Sequence, residues 1–384
     1  MTCCKVTTKT ADLLGFTSVF FAKRTSLCFN RPNFLNKEVG PGPEMIFSIR
    51  CPLFNLGVIY IMKKSLVALA ALAVIGAASA QSTVTLYGVA DAAVGKSDKA
   101  LSLGLANDQF QMITSNVLNN GNSRFGMRGT EDLGGGLKAG FNFEGGIVAG
   151  TGAGNTSGGN LFSRAANVSL MGGFGELRLG RTLTTSFYSV ASWELTGTAN
   201  YSVVANQFGF GGPGPRDSNA IMYNSPSFSG FTFSGSVIPK GNAAYGTAAD
   251  PKDKYDLAAT YAAGPITASL AYNKVQSGNE GTVLGGKYNF GAFQVAGSYN
   301  RNKTDAGVIL AEGYTLGVSG NVGNFTLTAD AARDTEFSDT DFLLEAKYPL
   351  SKRTFLYTAI MRDGKGKVRT EDATGYTIGV RHNF

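Results

Sequence analysis

Cysteine is confined to the first 51 residues of this 384-residue chain, where Cys3, Cys4, Cys28 and Cys51 are the whole complement. Beyond them neither a disulfide nor a thiolate metal site can form. Histidine is scarcer still, with His382 alone. Ser–His hydrolysis or a histidine metal centre would need that residue at a water-facing site. It lies instead on the mostly apolar face of the final segment, so no enzyme activity, metal or cofactor is expected. Glu131-Asp132 reads as an acidic pair flanking a turn. Gly134-Gly135-Gly136 reads as the turn itself, since no helix follows to make it a phosphate loop. After residue 80 no apolar run is long enough for a membrane helix. Proline is sparse there, whereas the chain holds 51 Gly, 15 Tyr and 26 Phe, a composition of strands and turns.

What is present begins with a displaced leader. Met62-Lys63-Lys64-Ser65 is followed by the apolar run Leu66 to Ile75 and by Ala78-Ser79-Ala80. A basic start, a short apolar stretch and a small-residue A-x-A site read as a secretory signal peptide at 62–80, with the mature chain starting at Gln81. Residues 1–61 show no sustained periodicity. They are expected to be a spurious or non-structural extension, with Met62 the true initiator; a real regulatory extension is the alternative. Nine of the 34 Lys and Arg and three of the 27 Asp and Glu lie in residues 1–80. The remaining 25 bases and 24 acids leave a net charge of +1 instead of +7, which removes the electrostatic motive for nucleic-acid binding.

From Thr83 onward the chain divides into segments of about ten residues with period-two alternation, the length of tilted membrane strands. Sixteen are predicted, at 83–94, 122–130, 137–147, 162–171, 175–181, 219–225, 229–238, 253–262, 265–274, 281–290, 292–301, 311–321, 323–334, 340–348, 354–363 and 373–384. Seven short connections alternate with eight mostly longer ones rich in Gly, Asn, Asp and Ser. That is the wiring of an up-and-down barrel, where a soluble sandwich would more often show Greek-key crossovers. Leu137, Ala139, Phe141 and Phe143 alternate with Lys138, Gly140, Asn142 and Glu144. Lys and Glu inside strands are costly in a dry core and cheap in a wet lumen. Mean hydropathy of +0.00 fits lipid outside and water inside.

The last nine residues sharpen this reading. Tyr376, Ile378, Val380, His382 and Phe384 share one face, and Thr377, Gly379, Arg381 and Asn383 the other. An edge strand of a soluble sheet could show the same period. A chain stopping on Phe384 in this register resembles the C-terminal assembly signal of outer-membrane barrels, carried here by Tyr376, Ile378, Val380 and Phe384.

Four blocks complete a resemblance that spans residues 81–384. They are Val84 to Asp91 (VTLYGVAD), Ser123 to Ala139 (SRFGMRGTEDLGGGLKA), Phe174 to Arg181 (FGELRLGR) and Arg216 to Pro226 (RDSNAIMYNSP). With Phe384 they resemble the Gram-negative general porins of the trimeric Neisseria and Burkholderia type. The resemblance implies an all-β fold, a 16-stranded antiparallel transmembrane barrel in the outer membrane. It further implies a homotrimer, contact with outer-membrane lipid and lipopolysaccharide, insertion by the barrel-assembly machinery, and passage of small hydrophilic solutes and ions. It also implies a third loop folded into the lumen. The longest connection, 182–218, is the candidate, carrying the only Trp, Trp193, beside Glu194.

Parity places Arg124 and Arg128 opposite Phe125 and Met127, hence toward the lumen. Lys138, Arg178 and Arg216 are assigned inward by their apolar neighbours. The resemblance sets a basic wall against an acidic loop, with Glu194 and Asp217 facing it and Asp91, Glu144 and Glu176 on the wall. Parity leaves the side of Arg164 and Arg181 open. Bases outweigh acids in this set, which predicts a mild anion preference. An adhesive or structural barrel, and a substrate-specific channel using Trp193, Phe208 and Phe210 as stacking residues, are the other readings.

Overall fold

The structure, a computed structural model, describes residues 83–98, 109–155, 159–209, 214–242, 244–367 and 370–384. The four cysteines, the signal-peptide segment, Gln81 and Phe210 lie outside the described residues. Sixteen long strands follow one another: β1 Thr83–Ser97, β2 Arg124–Gly134, β3 Leu137–Ile147, β4 Ala165–Gly172, β5 Gly175–Leu183, β6 Arg216–Asn224, β7 Phe231–Ile238 and β8 Lys254–Ala263. Then come β9 Ile266–Val275, β10 Glu280–Asn289, β11 Phe293–Lys303, β12 Ile309–Val322, β13 Phe325–Asp334, β14 Asp339–Pro349, β15 Thr354–Asp363 and β16 Ala373–Asn383.

Each strand pairs antiparallel with its neighbour in sequence, and β16 returns to β1 in the register Val89↔Asn383 to Ser97↔Gly375. The terminal residue takes part in the closure. Phe384 N donates to Gly88 O at 3.0 Å and Gly88 N donates to Phe384 O at 2.9 Å. A closed barrel leaves no strand edge unpaired, which is what a hydrocarbon solvent demands of a sheet. The outer face confirms the solvent: Val84 and Leu86, near the start of the β1 alternation, are each 68% exposed. Leu257, Leu284, Leu316, Leu344 and Ile378 are exposed in the same way. Such a continuous apolar band would be an aggregation surface in water and is the natural face toward lipid.

Most strand starts fall within one to three residues of expectation, and the shift that moves functional residues is that of β6. β6 begins at Arg216, not at 219, because Asn219 has a left-handed backbone (φ 57°). The register shifts opposite it, between Gly180 and Thr182. This bulge breaks the alternation that sequence reading follows, so Arg216 and Asp217 belong to the wall and the connection proper is 184–215.

That connection turns into the barrel. Thr184 caps the helix α1 (Thr185–Ala191), its Oγ1 accepting from Phe187 N at 3.0 Å. The buried Thr185, Ser186, Ser189 and Val190 set α1 against β7 to β10. A second helix, α2 (Val203–Phe208), ends on Gly209 in a left-handed cap and lies against β11 to β14. The hydrophobic clusters therefore sit between loop and wall. One joins Tyr201, Val203 and Phe208 to Ile113, Leu118, Tyr357 and Met361; the other joins Val190, Trp193 and Val204 to Val283 and Ala296.

Candidate pore constriction

The loop fills one side of the lumen and leaves the other open. Its seat is specific. Trp193, 1% exposed, donates from Nε1 to Ser269 Oγ at 3.0 Å. The indole lies over Gly285, whose missing Cβ would stand 2.8 Å from Trp193 Nε1 and closer still to Cε2. Ser186 donates from both N and Oγ to Asp256, at 3.0 and 2.6 Å. On the far wall Lys347 Nζ donates to Thr196 O at 2.7 Å, and Tyr201 OH to Glu345 Oε1 at 2.5 Å. Burial, reinforced by the Glu345 carboxylate, pushes the Tyr201 phenol well above its ordinary range, so it stays a donor.

The open side is a cavity of about 1060 Å³. Six arginines line it: Arg124 and Arg128 of β2, Arg178 of β5, Arg216 of β6, Arg381 of β16 and Arg164 just before β4. Two carboxylates share it, Glu144 of β3 and Glu176 of β5. Glu144 is clamped between Arg164 Nε at 2.6 Å and Arg124 Nε at 3.5 Å. Arg216 Nε donates to Arg164 O at 3.2 Å. Arg178 Nη2 donates to both Glu176 oxygens at 2.9 Å, and its Nη1 to Tyr188 OH at 3.1 Å. Arg128 stacks on the Tyr87 ring, 4.9 Å from the centroid. Arg381 Nη1 donates to Asn120 Oδ1 at 2.8 Å. Most of these guanidiniums are held by neutral groups or by a shared carboxylate, so their charge is only partly offset.

The sequence candidates divide accordingly. Arg124, Arg128, Arg178 and Arg216 are brought to one cavity, and Arg164, whose side parity left open, joins them. Arg181 is turned aside, donating to Ser163 O and, at 2.6 Å, to Ser218 Oγ. Lys138 is exposed one residue past the β2–β3 turn and does not line the cavity. Of the acidic candidates, Glu144 and Glu176 line the cavity, whereas Asp91, Glu194 and Asp217 are spent on internal bonds. Asp91 is buried and accepts from Asn119 Nδ2 at 2.9 Å, Gly121 N at 3.0 Å and Tyr357 OH at 2.7 Å. Glu194 accepts from Thr196 Oγ1 at 2.5 Å and Thr198 N at 2.7 Å, folding the loop on itself. Asp217 pairs with Lys254 Nζ at 2.9 Å, each side chain 1% exposed, and accepts from Tyr245 OH. Burial and that carboxylate push the Tyr245 phenol far upward.

Trp193 and Phe208 are buried against the wall, away from any stacking role in the path. Arg381 and Tyr188 line the cavity without belonging to the predicted set. Arg381 was legible, since it sits on the small, polar face of the last strand. Tyr188 was not, because its exposure depends on how α1 seats. Tyr376, Ile378, Val380 and Phe384 all point outward and are exposed. His382 meets the Thr354 hydroxyl at 2.8 Å on the same outer face.

Comparison with known proteins agrees with this geometry. A family model for Gram-negative porins matches residues 66–368. Outer membrane porin protein 32 of Delftia acidovorans is 36% identical over 84% of this chain and the whole of that protein. An outer membrane porin protein of Bordetella pertussis is 30% identical over the same shares. Among solved structures, the anion-selective porin from Comamonas acidovorans superposes with a TM-score of 0.66 at 29% identity, covering 79% of this chain and 100% of that one. A closed sixteen-stranded barrel with an apolar exterior, an infolded loop and a wet, charged lumen is thus matched along its length by one family: the chain is an outer-membrane porin, a member of the Gram-negative porins.

Proposed function

We propose that this passive diffusion channel prefers anions, and that the open side of its constriction sets the preference. The observation that carries the reading is the charge imbalance of the cavity, six guanidiniums against two carboxylates, an excess of four positive charges. Four charges acting over about 8 Å in a water-like dielectric amount to roughly 2 kcal/mol before screening. At 0.1 M salt, where the Debye length is about 10 Å, about half of that survives. Attraction of an anion and repulsion of a cation then give a preference on the order of tenfold, mild rather than absolute. The anion-selective porin from Comamonas acidovorans supports the same sign by similarity.

In this reading Arg124, Arg128, Arg178 and Arg216 form the basic wall, joined by Arg164 and Arg381, and the loop narrows the path opposite them. The working unit is a homotrimer; the small side chains of Ala90 and Ala92 on the outward face of β1 leave room for close approach of a second barrel. Residues 62–80 act as the signal peptide, 1–61 as a non-structural extension, and 81–384 as the porin. Tyr376, Ile378, Val380 and Phe384 present the signal to the barrel-assembly machinery, and lipopolysaccharide surrounds the outer leaflet. Planar-bilayer recordings of residues 81–384 under a salt gradient test the reading. A reversal potential of the sign for anions, with openings in threes, is expected; cation selectivity would remove the proposed role of the arginines.

A further inference from the structure

The loop buries every large aromatic it sends toward the wall. Trp193, Tyr201 and Phe208 are at most 1% exposed. Tyr188 is the departure, 41% exposed on α1 although Ser186, Ser189 and Val190 of that helix are buried. A large ring left in water on an otherwise seated helix is the informative kind of exposure. Tyr188 and the half-buried Phe187 meet edge to face, centroids 6.2 Å apart at 85°. Both line the arginine cavity, with Leu183 and Pro215 beside them. Leu183 pairs with Arg216 across β5 and β6, so the cationic wall begins where the apolar shelf ends. Arg178 fixes the tyrosine, its guanidinium carbon 5.9 Å from the ring centroid and its Nη1 donating to the hydroxyl at 3.1 Å. The cavity thus offers an aromatic corner held by Arg178, which is paired with Glu176, and in the same cavity Arg124 and Arg164, which share one carboxylate, Glu144.

We infer that Tyr188, with Phe187, is a specificity-determining element that makes the pore favour small aromatic carboxylates over aliphatic anions of the same charge. This deepens the anion reading and rests on it. The guanidiniums take the carboxylate through paired N–H donors, and the ring stacks on the corner. Ring pairing of this kind contributes roughly two- to tenfold in occupancy.

The test is the concentration of solute that halves the chloride current through the whole mature channel. Benzoate is compared with cyclohexanecarboxylate, which has the same charge and a similar size but no π face. Benzoate should block at a two- to tenfold lower concentration. Tyr188→Ala should abolish the difference and Tyr188→Phe should keep it; Tyr188→Leu replaces the alanine variant if that fails to insert. Equal blocking by the two acids in the parent channel, or a difference that survives Tyr188→Ala, overturns the inference. So does a neutral disaccharide that blocks as well as benzoate, because the corner would then be a sugar shelf. A channel that prefers potassium to chloride fails the anion reading itself, and the reversal potential shows which of the two has failed.

Discussion

Replacing Gly285 by alanine should unseat the constriction loop while leaving the barrel intact. A Cβ at that position would lie 2.8 Å from Trp193 Nε1 and closer still to its Cε2. Carbon contacts settle no closer than about 3.5 Å, so the indole must retreat by about 1 Å. That retreat breaks the 3.0 Å bond to Ser269 Oγ. Overpacking costs roughly 1–3 kcal/mol and the lost bond about 1 kcal/mol more. Together they shift the seated-to-unseated equilibrium of the loop by on the order of 30- to 1000-fold. Trp193 is the only tryptophan in the chain, so its emission reports on this contact alone. Gly285→Ala should shift the emission to the red and raise channel noise, with β content by circular dichroism unchanged. A second change, Trp193→Val, opens the space again and should quiet the channel. A folded Gly285→Ala channel whose emission and noise match the parent would refute the claim that this glycine notch holds the loop.

Three further outcomes follow from the same geometry. Arg124→Ser with Arg128→Ser halves the excess charge of the cavity and should move the reversal potential toward cations; an unmoved potential would take both residues out of the selectivity region. Lys254→Met leaves the buried Asp217 without its cation, a loss of about 3–5 kcal/mol. It should lower the thermal unfolding temperature, and unchanged melting would mean the pair is not buried as described. Deleting Phe384 removes two backbone bonds that close β16 onto β1. The truncated chain should insert into the outer membrane in smaller amounts, seen by fractionation after export.

All sixteen strands were legible in the sequence because lipid and water on opposite faces impose a period of two, and because tight turns alternate with long loops. Where a backbone irregularity interrupts the period, as at Asn219, the reading lost three residues of β6 and placed Arg216 and Asp217 in the wrong element. The candidate site was half legible for a related reason. Parity says that a side chain points inward; it does not say whether water or the folded loop lies there.

The alternation of faces is a local property, so the sequence by itself determined the strands of the barrel and the inward direction of Arg124, Arg128 and Arg178. The closure of β16 onto β1 through Phe384 is a long-range pairing that only the fold shows. Which inward charges stay open was decided by tertiary structure alone. The loop packs α1 on β7 to β10 and α2 on β11 to β14. Inward groups on those walls, such as Lys254, Asp256 and Glu345, are therefore buried and must find partners. The walls it leaves uncovered, β2 to β6 and β16, keep their arginines in the cavity. Asp91, Glu194 and Asp217, predicted to oppose them, satisfy buried donors instead, because a carboxylate shut away from water beneath a loop is stable only when bonded.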